Sequence, residues 1–558
     1  MEAIKIFIND LAVVARKGQT ILETAKENGI SIPTLCHLSI LVPSGNCRIC
    51  VVEVVGKKRL VPACAYPVEE GMVIYTHSER VRRARKTVVE LLLANHPDDC
   101  LVCIRNSDCE LLKLASEFGV RERRYVGKKR SSSLDLSSVA IERDPNKCVL
   151  CGRCLRACID NQQIGALNFA KRGFETTIDT AFNLELKDSE CVYCGQCVLT
   201  CPTGALRERS ALKHVWAAIH DPGKKVIALV SPAAKIDFLP KSESSLIEFE
   251  GQIIAALKRL GFDYVFDLSL ANDIYQKELA KELLKSKKEG RGTLISSFCP
   301  SVVKLIEQSY PELVPNLSQI KSPQQIAGAL IKREFSQTNG FNPEALFVVA
   351  IRPCTAAKYE AARLEMSSDG LRDVDAVLTT RELLRMLQTA GVEYERLTTE
   401  DANNPFINAK PFLGVLEVTG GLATTIGAGT KEGLEKELLS AKEYLEKTVK
   451  INDELIHCLA CDNLGKANKL LSDKAKLEKL DLVEVHACPG GCLGGGGLSL
   501  PAVDGIPCRI KAFLNLCSRP NTEQNIDQFA LYSKIATSKK SLYQTKFYSQ
   551  TLETRFLD

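Results

Sequence analysis

Cys148, Cys151, Cys154 and Cys158 form a C-x2-C-x2-C-x3-C run, and Cys191, Cys194, Cys197 and Cys201, followed by Pro202, repeat it. Thiolates two residues apart can turn onto one metal centre, and the doubled run is a spacing that holds a pair of [4Fe-4S] clusters. The fourth cysteine of each such run ligates the other cluster. One site is therefore expected from Cys148, Cys151, Cys154 and Cys201, and the other from Cys158, Cys191, Cys194 and Cys197. Zinc would need only paired C-x2-C elements and not this crossed repeat. Two further sets precede it. Cys36, Cys47, Cys50 and Cys64, spaced C-x10-C-x2-C-x13-C, offer ligands for one [2Fe-2S] cluster, the bland alternative being buried structural cysteines. His96, Cys100, Cys103 and Cys109, spaced H-x3-C-x2-C-x5-C, can ligate a [4Fe-4S] cluster through one imidazole and three thiolates. A lone histidine is more often structural; three cysteines at this spacing favour the ligand. A neutral imidazole in place of a thiolate should raise that cluster's potential.

These sets need elements to hold them. "AIKIFIND" and "LAVVARKG" read as a strand pair, Thr20 and Glu23 stand in capping-box spacing, and Gly29 stands where a helix C-terminal glycine would. With the long cysteine loop that follows, residues 1–78 are expected to form a ferredoxin-like β-grasp domain. The basic amphipathic stretch "SERVRRARKTVVELLLANH" predicts a helix running into His96, so 79–124 form a one-His/three-Cys module. "VGKKRSSSLDLSSVA" reads as a surface linker into a bacterial-type two-cluster ferredoxin domain over 125–220. Beyond it "VIALV", "GTLIS", "ALFVVAI" and "LVEV" alternate with helical patterns, which predicts an α/β domain with parallel strands over 221–558. Three of these runs end within a few residues of Cys299, Cys354 and Cys488, and Cys492 completes four, a gathering of ligands at strand ends. The glycines of "TGGLATTIGAGT" read as a turn in the core, since no strand and acidic residue frame them as a dinucleotide loop. Those at 494 to 497 read as close backbone packing beside a cluster.

The chain has 558 residues, 73 Lys plus Arg against 68 Asp plus Glu, and a net charge of +5, which makes no case for nucleic-acid binding. Its N-terminus lacks the pattern of a signal peptide and no apolar run suits membrane insertion, so a cytoplasmic location is expected. Disulfides are disfavoured there, and the 23 cysteines read instead as metal sites. Cys458 and Cys461 form a further C-x2-C without a second pair nearby; these, with Cys508 and Cys517, read as structural. The chain has no flavin or nicotinamide motif of its own.

The first two cysteine sets resemble those of the complex I large iron-sulfur subunit and of large [FeFe]-hydrogenases. With the module order and three loops, "SSFCPS", "RPCTAAKYE" and "EVHACPGGCLGGGG", the chain to about residue 550 resembles the large catalytic subunit of [FeFe]-hydrogenases, ending in a small-subunit-like tail. The resemblance implies that Cys299, Cys354, Cys488 and Cys492 hold a [4Fe-4S] cluster, which in the family bridges to a diiron unit carrying CO and cyanide. Four pocket positions depart from the family pattern. Phe298 replaces the proton-transferring cysteine, and a phenyl ring has no exchangeable proton. Arg352 replaces a methionine, and Ala357 replaces a lysine that donates to a cyanide, although Lys358 and Glu360 keep the rest of that motif. His486 replaces another methionine, and the proline after the glycine run is displaced to Pro501. Phe298, Arg352 and His486 could fill the volume of a missing diiron unit, while Arg352 and His486 could donate to cluster sulfides.

The expected complement is one [2Fe-2S] and four [4Fe-4S] clusters with the diiron subsite absent; an atypical H-cluster and a metal-free site remain alternatives. The fold class is a multi-domain α/β and α+β chain. The expected function is electron transfer in a multi-subunit, electron-bifurcating, NAD(P)- and ferredoxin-linked oxidoreductase of formate dehydrogenase type, without hydrogenase activity of its own. By resemblance the partners are a flavin- and NAD(P)-binding subunit and a small [2Fe-2S] subunit like those of the complex I peripheral arm. A formate dehydrogenase or similar catalytic subunit and ferredoxin complete the expected circuit. The alternatives are an atypical active or sensory [FeFe]-hydrogenase and an iron-sulfur assembly scaffold.

Overall fold

Ile4, Ile6 and Ile8 are buried on alternate positions of strand Ala3–Ile8, which pairs antiparallel with Leu11–Arg16. Asn9 and Asp10 join the two at positive φ, 51° and 66°, the backbone that a two-residue hairpin with right-handed strand twist requires. The computed structural model describes residues 3–239, 246–400, 415–427, 431–440, 443–499, 505–517 and 542–549. Pro501, residues 428–430 of the glycine-rich stretch and most of the C-terminal tail lie outside them. The hairpin belongs to a five-stranded sheet in the order Leu11–Arg16, Ala3–Ile8, Val73–Tyr75, Val51–Val54 and Val61–Pro62. Helix Ile21–Glu27 has the expected capping box between Thr20 and Glu23, and Gly29 beyond its end has φ +71°.

The predicted basic helix runs from Glu79 to Asn95, started by Ser78, whose hydroxyl accepts from the Val81 amide. It stops at His96, which turns to an extended conformation and leads into the loop carrying Cys100, Cys103 and Cys109. The linker runs largely along the surface but is strapped down. Arg130 donates to the carbonyls of Cys148 and Thr176, both at 2.8 Å, and the Asp135 backbone pairs with Arg143. In the two-cluster domain, strands Ile141–Arg143 and Leu206–Glu208 pair. The third cysteine of each run lies on a short helix, Arg153–Arg156 or Gln196–Thr200. Both helices start from a glycine in the left-handed region, Gly152 at φ +71° and Gly195 at φ +73°, a turn that a β-carbon would strain.

The four apolar runs of the last region are strands Lys225–Val230, Leu294–Ile295, Leu346–Arg352 and Leu482–His486. They do not share one sheet. One all-parallel sheet has the order Tyr264–Asp267, Lys225–Val230, Leu346–Arg352 and Ala376–Thr379. The second has the order Leu294–Ile295, Leu482–His486, Glu454–Asp462 and Leu445–Ile451, with its last pair antiparallel. Cys354 follows a strand of the first sheet, whereas Cys299 and Cys488 follow strands of the second. The cavity they line therefore lies between two sheets; the first is buried on both faces, as parallel strands with helical crossovers are, whereas strand Leu445–Ile451 at the edge of the second alternates buried and exposed residues.

The glycine run at 494 to 497 is a backbone contact between domains. A β-carbon on Gly496 would stand 2.5 Å from the Gly195 Cα and 2.7 Å from the Cys194 carbonyl, and one on Gly495 would stand 2.2 Å from the Pro353 carbonyl. Gly496→Ala is expected to destabilise the junction by about 1–3 kcal/mol through overpacking, since these neighbours are backbone and cannot rotate away. Thermal unfolding of the cluster-loaded protein checks this, with an unchanged transition as the contrary result. The other glycine stretch is also a packing device: Gly421 opens helix Gly421–Ile426, and a β-carbon there would stand 1.7 Å from the Val415 carbonyl. Among the described residues, no helix is long and apolar enough to cross a membrane.

Candidate metal centres

Cys148, Cys151, Cys154 and Cys201 line one cavity of about 420 Å³, and Cys158, Cys191, Cys194 and Cys197 line another of about 440 Å³. Burial pushes the Cys148 thiol up to about 11 and those of Cys151 and Cys191 to about 12. Free thiols here would stay neutral, and only a bound cation would compensate four thiolates in such surroundings. Among the described residues, no group of three His, Cys, Asp or Glu side chains is arranged to hold a single metal ion. The cysteines surround space instead, which fits a polynuclear cluster and weighs against zinc.

Cys36 is within hydrogen-bonding reach of Cys47 and Cys64, and Cys64 of Cys50, so the four meet at one place although strands Val51–Val54 and Val61–Pro62 separate Cys50 from Cys64. The backbone amides of Cys36 and Ile49 point at the Cys47 sulfur, at 3.4 and 3.5 Å, donors that would stabilise a thiolate ligand. Arg156 of the two-cluster domain donates to the Cys36 carbonyl, and Arg153 donates to the His37 carbonyl at 3.2 Å. Arg153 also pairs with Glu110 at 2.5 Å. The three N-terminal modules are thus stitched together at residues beside the cysteine sets.

His96 is 7% exposed, burial holds its imidazole well below the usual range at about 4, and its Nδ1 has no hydrogen-bond partner among the described residues. A neutral ring with an orphaned buried nitrogen suits a ligand. Lys147, reaching over from the two-cluster domain, donates to the Cys103 sulfur at 3.5 Å and pairs with Asp99 at 2.7 Å. If His96 ligates the cluster of Cys100, Cys103 and Cys109, His96→Cys should retain that cluster but lower its midpoint potential, by on the order of 100 mV, because thiolate adds negative charge at the iron. An EPR-monitored redox titration checks this. A titration unchanged in every signal would remove His96 from the ligand set.

Cys299, Cys354, Cys488 and Cys492 line a third cavity, of about 470 Å³, and share its wall with Phe298, Arg352, Ala357 and His486. Phe298 is 4% exposed and fixed edge-on to Tyr275, ring centroids 5.6 Å apart at 72°, with the His486 ring also 5.6 Å away. Arg352 pairs with Glu417 at 2.8 Å, and Glu417 also accepts from the Ser231 hydroxyl. The Arg352 Nε remains buried and without a partner among the described residues, a donor available to a sulfide in the cavity. His486 Nε2 is 3.0 Å from Glu484, so this ring nitrogen is already engaged. Lys358 cannot replace the donor missing at Ala357: its ammonium pairs with Glu382 at 2.8 Å and donates to the Val377 carbonyl at 2.5 Å. Glu360 lines the cavity and accepts from the Ser322 hydroxyl at 2.7 Å.

Sequence reasoning missed the groups that hold these replacements. Glu484 was within its reach, standing two residues before His486 on one strand and hence on the same face. Glu417 comes from a distant segment and leaves no local signal. Cys458 and Cys461 lie on opposite faces of strand Glu454–Asp462 and pack into different cores, so they cannot hold one ion together. Cys517 is buried, whereas Cys508 is exposed.

A [2Fe-2S] domain, a histidine-containing iron-sulfur region, a two-cluster domain and a two-sheet domain with a fourth cysteine set define a multi-cluster iron-sulfur subunit of a hydrogenase-type oxidoreductase. Residues 1–79 match the 2Fe-2S iron-sulfur cluster binding domain, and 85–124 match the NADH-ubiquinone oxidoreductase-G iron-sulfur binding region. Residues 147–205 match the 4Fe-4S dicluster domain, and 224–496 match the C-terminal domain of the iron only hydrogenase large subunit. The chain belongs to the [FeFe]-hydrogenase large-subunit family. It is 39% identical over 521 residues to the NADP-reducing hydrogenase subunit HndD of Solidesulfovibrio fructosivorans, covering 89% of each chain. It is 35% identical over 506 residues to iron hydrogenase 1 of Clostridium pasteurianum, covering 88% of each. The NADH-ubiquinone oxidoreductase 75 kDa subunit of Reclinomonas americana is 34% identical over 210 residues, 37% of this chain and 29% of that one.

Proposed function

We propose that this chain is an electron-carrying subunit of a multi-subunit oxidoreductase, and that its hydrogenase-type domain holds a plain [4Fe-4S] cluster without a diiron unit. The carrying observation is the third cavity. Phe298, Arg352 and His486 occupy its wall and are held by Tyr275, Glu417 and Glu484. A diiron unit would need an exchangeable proton at 298 and a donor at 357, and Phe298 and Ala357 supply neither.

The proposed ligand sets are Cys36, Cys47, Cys50 and Cys64 for [2Fe-2S], and His96 with Cys100, Cys103 and Cys109 for the first [4Fe-4S]. The crossed sets of the two-cluster domain and Cys299, Cys354, Cys488 and Cys492 hold the other three. Bound there, the clusters supply one-electron carriers. The chain's own residues keep the sites close and dry: the Thr355 hydroxyl donates to the Tyr193 carbonyl at 2.7 Å, and Gln196 Nε2 donates to the Gly494 carbonyl at 2.8 Å. The loops of the two-cluster domain and the hydrogenase-type domain therefore form one buried junction. Domain boundaries near 78, 124 and 220 follow from the same reading.

The relatives support a second reading, an active hydrogenase with an altered pocket, because the two matched along most of their length are named hydrogenases. An NADP-reducing relative also favours an NAD(P)-linked partner. Neither of these two names supports a formate dehydrogenase partner or electron bifurcation, which rest on family resemblance and on the pocket's departure from hydrogenase chemistry. Iron analysis and infrared spectroscopy of anaerobically purified protein separate the readings. About 18 iron atoms per chain without CO or CN bands are expected; about 20 with those bands would establish a diiron unit, and about 14 would remove the last cubane.

A further inference from the structure

A cavity of about 610 Å³, lined by no cysteine, lies where three modules meet. Four arginines line it: Arg105 from the His96 module, Arg207 from the two-cluster domain, and Arg381 and Arg385 from helix Thr380–Thr389. Carboxylates are too few to balance them: Asp237 and Glu382 also act on Arg381, but Asp237 is paired with Arg509 at 2.7 Å and Glu382 with Lys358 at 2.8 Å. Glu208 is shared by Arg381, at 2.9 Å, and Arg385. Asp108 is shared by Arg105, at 3.2 Å, and Lys113, at 3.9 Å. Glu142, paired with Arg207 at 2.6 Å, also faces Arg209 at 3.6 Å. The Nε atoms of Arg105 and Arg381 are buried and have no hydrogen-bond partner among the described residues. Burial, followed by repulsion from Arg105, lowers both Arg381 and Arg385 to about 10, a sign of like charges held together.

We propose that this cavity binds a phosphate-class dianion, either the free oxyanion or the terminal group of a small phosphorylated molecule. Guanidinium forks match tetrahedral oxyanions, and a dianion would neutralise the excess that the shared carboxylates leave. Its position couples it to the electron path. Arg105, between Cys103 and Cys109, donates to the Cys201 carbonyl at 2.9 Å. Arg381 donates to the carbonyls of Gly496, at 2.7 Å, and Leu498, at 2.9 Å, just past Cys492. The proposal holds whether or not the hydrogenase-type domain carries a diiron unit.

Isothermal titration calorimetry of the anaerobic, cluster-loaded protein with inorganic phosphate, in chloride buffer of fixed ionic strength, is expected to show saturable one-to-one binding. Arg385→Gln removes one fork from a half-buried side chain. Gln388→Glu, at an exposed position on the same wall, adds a negative charge without disturbing a core. Each should weaken binding by about tenfold or more. Adenosine monophosphate distinguishes the sources: binding about tenfold tighter than phosphate assigns the site to a phosphorylated organic molecule, and equal or weaker binding assigns it to the free oxyanion. Absence of saturable phosphate binding, or binding unchanged by either substitution, overturns the proposal.

Discussion

Produced together with H-cluster maturation proteins, the protein is expected to evolve no hydrogen, and Phe298→Cys is expected to leave it inactive. The substitution restores one thiol at a buried position on the cavity wall. General acid-base groups contribute roughly 10²–10⁴-fold to a rate, so a thiol would matter greatly if the rest of the pocket were in place. It is not in place. Ala357 supplies no donor, and Lys358 beside it is committed to Glu382 and the Val377 carbonyl. Arg352 is held into the wall by Glu417, which the Ser231 hydroxyl and the Ala233 amide also engage at 2.6 and 2.5 Å. Breaking such a buried pair is costly, so the guanidinium will not swing aside to admit a ligand. Hydrogen evolution assayed with a low-potential donor checks the outcome. Substantial turnover by the single variant would show that the diiron unit binds and lacks only its proton path.

The second large effect is expected from Cys354→Ser. The variant should lose about four iron atoms, keep the N-terminal clusters reducible, and stop electron exchange between a partner at the N-terminal modules and one at the hydrogenase-type domain. The physical reason is position. Cys354 lies two residues past strand Leu346–Arg352, and the next residue, Thr355, bonds to Tyr193 beside Cys194. A cubane there would be the continuation of the two-cluster path. The substitution changes one atom, so the junction should stay assembled, which size-exclusion chromatography of the complex verifies. Electron transfer that persists in a variant shown to lack this cluster would reduce the hydrogenase-type domain to scaffolding.

The cysteine spacings were legible because ligation depends on residue type, and type is written one position at a time; the four pocket replacements were legible only against the family pattern. The capping box at Thr20 and Glu23, the helix from Glu79, and the four apolar runs were legible for a related reason: each follows from hydrogen bonding or burial within a few residues. The parallel α/β pattern of those runs left open which sheet each would join. That is decided partly by pairings far apart along the chain, such as Lys225 with Leu346 and Leu294 with Leu482, and the strands divide into two sheets with the cavity between.

Tertiary structure alone decided how the replacements are held. Phe298 could have been a flexible plug; Tyr275 and His486 fix it. Arg352 could have faced the cavity as a free cation; Glu417, 65 residues away, neutralises it. The four-arginine cavity was equally invisible, since Arg105, Arg207, Arg381 and Arg385 carry no common spacing and become one electrostatic unit only when three modules pack together. Sequence determines which groups can ligate, donate or carry charge. Their partners, and therefore the energies that keep them in place, come from segments distant along the chain that only the packed fold brings within a few ångströms.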